Sequence, residues 1–134
     1  MGQLSRFLRN VQGPAVAFWC AGCRQAHTIG VGPGGWTWNG DVEKPVFSPS
    51  ILVTGRGFTA AGQAAFDAWH AAGLPKPAPA FEAADTRCHS FVGCNGAQPG
   101  EIVYLSDCTH DLAGRTVPMA EWPGVGVPSG VSFT

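Results

Sequence analysis

Charge is scarce in this chain. Asp, Glu, Lys and Arg make up 13% of its 134 residues, about half the ordinary share, so little of the surface relies on ionic solvation. The net charge is −1 and no basic run occurs, which excludes the clustered Lys and Arg that displace counterions from nucleic acid. No apolar stretch approaches the roughly 20 residues that a membrane helix needs, so no membrane partner is expected. The opening residues, Met1-Gly2-Gln3-Leu4-Ser5-Arg6, lack the apolar core of a signal peptide. The expectation is a soluble protein made in the cytoplasm. There is neither an internal repeat nor an interdomain linker. Cysteine is odd in number, at 5, and the thiols sit beside histidines, which argues against a disulfide framework and for metal or free thiol.

What is present points to turns and short strands. Gly (19) and Pro (11) together exceed a fifth of the chain. Trp (5) and Phe (8) are spread along its whole length, so this is a packed domain rather than low-complexity disorder. A chain of this length fits one domain.

The run Ala15-Val16-Ala17-Phe18-Trp19 reads as a strand ending at Cys20, and Ala26 to Val31 as its return strand, so Cys20 and Cys23 sit at a hairpin tip. Gly22 permits a tight backbone there, and spare N–H groups of such a knuckle can point at thiolate sulfur. Trp36-Thr37-Trp38 alternates like a strand, and Asn39-Gly40-Asp41 is a turn signal. Pro45 to Ser50 holds two prolines, which argues against a central strand, whereas Ile51 to Thr54 reads as a buried one. Thr59 to Ala72 is the helix candidate, with Thr59 as N-cap, Gly73 past its end, and Ala61, Ala65, Phe66, Trp69 and Ala72 as an apolar stripe. Arg87 to Val92 and Glu101 to Leu105 should pair as a hairpin, with Gly114 to Met119 as one more short strand.

Two clusters carry the chemistry. Cys20-Ala21-Gly22-Cys23 with His27 has zinc-knuckle spacing, and two thiolates at that spacing reach one tetrahedral ion at about 2.3 Å. Cys88-His89 and Asp107-Cys108-Thr109-His110 supply further thiol and imidazole groups. Three of the 4 His and four of the 5 Cys lie in these places. Strand alternation sends Cys88 and His89 to opposite faces, so at most one meets a given ion. The expected site draws on Cys20, Cys23, His27, Cys88, Cys108 and His110: the knuckle pair, then His27 or Cys88, closed by His110 or Cys108. Zinc is the expected ion, because it suits mixed thiolate and imidazole ligands. Whether the clusters share one ion or form two sites is left open by spacing.

A catalytic reading stands beside the structural one. Asp107, Cys108 and His110 place a carboxylate, a thiol and an imidazole within four residues, the parts of a thiol enzyme or of a zinc hydrolase with an open position. Residues adjacent in sequence rarely form a triad, so this reading ranks below metal ligation or turn bracing. Cys94 reads as a free thiol. Trp36, Trp38, Phe47, Phe58, Trp69 and Phe91 read as core.

Five stretches together resemble a domain-of-unknown-function family of small phage and prophage proteins. They are Phe18-Trp19-Cys20-Ala21-Gly22-Cys23 with His27; Trp36-Thr37-Trp38-Asn39-Gly40-Asp41; Pro45-Val46-Phe47-Ser48-Pro49-Ser50-Ile51-Leu52; Cys88-His89-Ser90-Phe91; and Leu105 to Val117. They span most of the chain. Members of that family often carry an ammonia monooxygenase label, which a chain with no bilayer span does not support. The resemblance implies a phage-associated, metal-binding protein and supplies no activity.

The resulting expectation is a mainly β (α+β) fold, with small antiparallel hairpins, a zinc-knuckle hairpin and one α-helix. Residues 1–120 form one metal-binding domain, and 121–134 form an apolar Gly/Pro-rich arm. The function expected first is a zinc-stabilised phage structural or accessory protein, such as a capsid decoration component of the virion. It would be made in the host cytoplasm and partnered by other phage proteins as a homo-oligomer or with capsid or tail subunits. The alternatives are the hydrolase or thiol enzyme just described and an intracellular phage protein that binds a host factor.

Overall fold

The computed structural model describes residues 2–123. Along them the chain runs through β1 (Gly2–Gln3), β2 (Leu8–Val11), β3 (Ala15–Cys20), β4 (Gln25–Gly30), β5 (Thr37–Trp38), β6 (Phe47–Phe58), α1 (Ala60–Ala71), β7 (Ala83–Val92), β8 (Glu101–Tyr104) and β9 (Thr116–Pro118). The strands form two antiparallel sheets, one ordered β1-β2-β3-β4 and the other β5-β6-β7-β8-β9. The fold is mainly β with a single helix among the described residues, as the composition and turn signals predict.

Alternation decides which side chains meet between the sheets. In β4, His27 and Ile29 are buried while their neighbours face water, and in β7 the buried set is Cys88, Ser90 and Val92. Leu8, Phe18, Cys20 and Ile29 of the first sheet join Phe47, Ile51, Cys88, Val92, Ile102 and Tyr104 of the second in one buried cluster. Cys108 joins the same cluster, so three thiols lie within the apolar core.

The helix forms where its caps predict. Thr59 Oγ1 accepts the N–H of Gly62 at 3.1 Å, and Gly73, in the left-handed region, donates to the His70 carbonyl at 3.1 Å. Its docking differs from the expected stripe. Ala61 and Ala65 stay exposed, and only Gly62 is buried, because a Cβ there would collide with the Glu82 backbone. Phe66 and Trp69 pack instead with Phe58 and Phe81 in a satellite aromatic cluster.

The Pro-rich segment also departs from expectation. Strand β6 begins at Phe47 and continues through Pro49 and Ser50, although prolines argue against a strand here. The ladder accommodates them by slipping: Phe47 faces Val92 and Ile51 faces Ser90, so four steps on β6 match two on β7. Pro49 has no N–H to offer a ladder and sits inside that irregularity. The tip of the Asn39-Gly40-Asp41 turn holds the approach to it, since Asn39 Oδ1 accepts the N–H groups of Asp41 and Val46, both at 3.1 Å.

Among the described residues no helix is long and apolar enough to cross a membrane. The expected C-terminal arm lies outside the described residues from 124 onward. Its first part is seated: the Trp122 indole donates to the Phe7 carbonyl at 2.9 Å and lies against the Trp19 ring.

Candidate active site and metal centre

Strand β7 carries two sites, one on each face. Its inward residue Cys88 joins Cys20, Cys23 and His27, and one ligand atom from each lies within 4.8 Å of all the others. The hairpin turn between β3 and β4 presents the knuckle: Arg24 N–H closes the turn on the Cys20 carbonyl at 2.7 Å, and Cys23 N–H points at Cys20 Sγ at 3.3 Å. That N–H to sulfur contact is the one a metal-binding knuckle uses.

The donor set fits a tetrahedral ion on three counts. Cys20 Sγ and Cys88 Sγ are 3.8 Å apart, and two thiolates each about 2.3 Å from a tetrahedral zinc stand about 3.8 Å from one another. His27 is buried with 3% exposure, and its Nε2 has no hydrogen-bond partner. The thiols themselves are electrostatically frustrated. Hydrogen bonds from Cys23 and then Cys88 hold Cys20 far below the usual thiol range. Donating to Cys20 pushes Cys23 up to about 12 and drives Cys88 upward as well. A bound cation would favour the thiolate form of all three sulfurs.

The other expected ligands stand just behind this group. His110 Nε2 lies 3.4 Å from Cys88 Sγ, and the His110 ring meets Tyr104 edge-on. Gly22 makes room here, because a Cβ at that position would meet the His110 ring unless that side chain moved. The Tyr104 hydroxyl, pushed up first by burial and so a donor, is 3.4 Å from Cys20 Sγ. Cys108, Cys88 and His110 form a second close group that shares Cys88 with the first. The structure therefore takes both His27 and Cys88 into one four-member set. It brings Cys108 and His110 against that set through Cys88.

The outward residue of β7 is His89. Its Nε2 lies 3.1 Å from Ser50 Oγ, and its Nδ1 lies 3.3 Å from Asp107 Oδ2. Serine, imidazole and carboxylate stand in line, within the reach that a nucleophile, its base and the group orienting that base require. The ladder explains the meeting. Leu52 pairs with His89, and Ser50, two residues before Leu52, shares its face. The ladder irregularity lifts Ser50 out of regular pairing, and the Trp36 indole N–H anchors its carbonyl at 3.1 Å.

Asp107 arrives from the loop after β8. Leu105 N–H donates to the His89 carbonyl at 2.9 Å, and Thr109 N–H to the Arg87 carbonyl at 2.9 Å. Between them, Cys108 Sγ accepts the His89 N–H and donates to the His89 carbonyl, both at 3.2 Å. The loop is thereby stitched along β7 with Asp107 opposite His89. Arg87 Nη1 stands 3.6 Å from the same carboxylate oxygen that meets His89. A cleft of about 700 Å³ opens beside this end of the site, lined by Thr54, Arg56, Arg87 and Asp107 among others.

Of the residues Asp107, Cys108 and His110, only Asp107 turns to this site. Cys108 is spent on the His89 backbone and His110 on Cys88. Sequence reasoning did not single out Ser50, and it weighed His89 only as a metal ligand. One signal was there: if Cys88 faces a metal, alternation turns His89 outward to other work.

A family model described as bacterial ubiquitination-like system serine protease (BubE) matches residues 3–99. The matched span contains Ser50 and His89 and ends before Asp107. No curated protein and no solved structure matches. The family match overturns the expectation of a phage virion component or capsid decoration protein. Low charge, high Gly/Pro content and an apolar tail are features of composition, and they do not discriminate a capsid protein from a small β-rich enzyme.

Proposed function

This chain belongs to the BubE family, the serine protease of a bacterial ubiquitination-like system, and from that membership we propose that it is a serine hydrolase of peptide bonds acting through Ser50, His89 and Asp107. The observation that carries the reading is the continuous chain Ser50 Oγ–His89 Nε2 at 3.1 Å and His89 Nδ1–Asp107 Oδ2 at 3.3 Å. With Nδ1–H directed to Asp107, Nε2 is free to take the serine proton. Ser50 Oγ attacks the scissile carbonyl carbon, and His89 holds the displaced proton. The carbon–nitrogen bond then breaks, the amine departs with that proton, and Ser50 is left acylated. Water, deprotonated by His89, releases the acid and restores Ser50. Asp107 stabilises the imidazolium in both halves, and its own seat depends on the loop stitched to β7.

The same reading assigns zinc to Cys20, Cys23, His27 and Cys88 as a structural brace. Four protein ligands close the shell, which marks a structural rather than a catalytic zinc site. The ion would tie the β3–β4 hairpin to β7, one residue from His89.

A fluorophosphonate probe with mass spectrometry tests the enzyme reading. Ser50 should take the adduct, Ser50→Ala should take none, and His89→Ala should react far more slowly. An intact, folded protein that leaves Ser50 unmodified would remove the proposal. Elemental analysis tests the brace: one zinc per chain is expected, and a metal-free folded protein would contradict it.

A further inference from the structure

The two sides of β6 are unequal. On one side it pairs with β7 nearly throughout, from Phe47 with Val92 to Phe58 with Ala83. On the other side β5 covers only Phe47 and Ser48. From Ile51 to Gly57, β6 has no ladder partner on that side among the described residues, and the bare stretch begins one residue after Ser50. Its surface is open: Leu52 is 53% exposed, and Thr54, Gly55 and Arg56 are exposed too. Natural sheets cover, shorten or charge such edges, because unpaired N–H and C=O groups recruit other strands. Beside the triad β7 offers no such edge, since β8 pairs with Ser90 to Val92 and the loop after β8 occupies His89 and Arg87. An incoming extended chain that brings a carbonyl to Ser50 therefore finds the β6 edge open among the described residues.

Resting on the hydrolase reading, we propose that the β6 edge from Ile51 to Gly57 is the substrate-docking strand. An extended peptide segment flanking the scissile bond adds to the sheet there as one more strand. Its main chain pairs with β6 at alternate residues, which gives recognition that tolerates varied side chains. Alternation also sets the side-chain neighbours. Ser50, Leu52, Thr54 and Arg56 share one face, so the substrate residue lying beside Leu52 is apolar. Arg56 is already engaged by Asp85 at 2.8 Å and does not add a net charge to the groove.

Peptidyl diphenyl phosphonates test this on the whole protein, because a nucleophilic Ser50 displaces phenoxide from phosphorus and is phosphonylated without the natural substrate. A library one to five residues long is scored by the rate of Ser50 modification. Longer members with an apolar residue at one position should react at least ten times faster than the single-residue reagent. N-methylation of the best member should slow it about tenfold at alternate positions and little between them. Leu52→Lys should move the side-chain preference from apolar to acidic at one position. Rates that ignore chain length, or N-methyl effects without alternation, would overturn the edge while leaving the hydrolase reading intact. No modification of Ser50 by any member, the single-residue reagent included, would defeat both. A stable dimer whose 51–57 amides resist hydrogen exchange without peptide would assign the edge to a second copy and overturn the proposed occupant.

Discussion

Cys88 and His89 are neighbours on one strand and belong to opposite worlds. Cys88 points into the core, where thiols and a buried imidazole converge. His89 points outward, where Ser50 and Asp107 reach it from the strand beside it and the loop after β8. On the proposed reading the inner site holds an ion and the outer one moves a proton. They share a backbone, so damage to the inner site reaches the outer one, whereas the reverse does not follow. Cys108 strengthens the link, because its sulfur bonds the His89 main chain while lying in a close group with Cys88 and His110.

The asymmetry orders the expected effects. Breaking the inner site is the largest. A structural zinc contributes on the order of 10 kcal/mol at neutral pH, so Cys20→Ser or Cys88→Ser should lose metal, cooperative unfolding and activity together. Calorimetry with elemental analysis reads this, and a Cys88→Ser protein that keeps its full thermal midpoint would uncouple the two faces. Breaking the outer site is next and should be clean. Ser50→Ala removes about 10⁶-fold of the rate in comparable triads, and here the metal content and melting should stay those of the parent. If Ser50→Ala melts early, the outer site also holds the fold together.

Asp107→Asn should cost about 10⁴-fold, because the amide favours the wrong imidazole tautomer. Single-turnover rates check it, and a loss under tenfold would show that Asp107 does not orient His89. Trp36→Phe deletes the indole that anchors the Ser50 carbonyl. An acceptor left without its donor costs about 1–3 kcal/mol, so Ser50 labelling should slow by about tenfold or more while zinc stays bound.

The smallest effect concerns Asp41, whose carboxyl sits below its usual range because it accepts the backbone N–H groups of Lys44 and Glu43. A lowered folded value means that stability is present above the unfolded value and lost as pH falls through the folded one. Asp41→Asn should melt slightly below the parent at neutral pH, and the gap should close in acid. Comparing the two proteins at each pH cancels what acid does to the thiolates.

Much of the inner site could be read from spacing. Cys20 and Cys23 are bound to the same turn by a three-residue separation, and His27 follows on the return strand, so any fold that forms the hairpin brings them near. Cys88 was in view as a ligand because a thiol beside a histidine is rare in a chain with so few of either. The outer site had no such local signature. Ser50 and His89 are 39 residues apart, and His89 and Asp107 are 18 apart. The prolines around Ser50 read as a reason against a strand, yet the structure places them at an irregularity where Ser50 meets His89. The function followed the same course: composition suggested a capsid component, and the family match corrected it.

The sequence by itself determined what short-range geometry dictates. The knuckle hairpin, the capped helix, the β-rich class and the parting of Cys88 from His89 all follow from turn chemistry and side-chain periods of 2 and 3.6. Only the tertiary structure decided which distant residues meet. Ser50 reaches His89 because β6 pairs with β7 in one register with one slip, and shifting that register by a single residue would turn His89 and Ser50 to opposite faces. Register depends on how two sheets bury their apolar sides against each other, a property of the whole chain that no local spacing encodes.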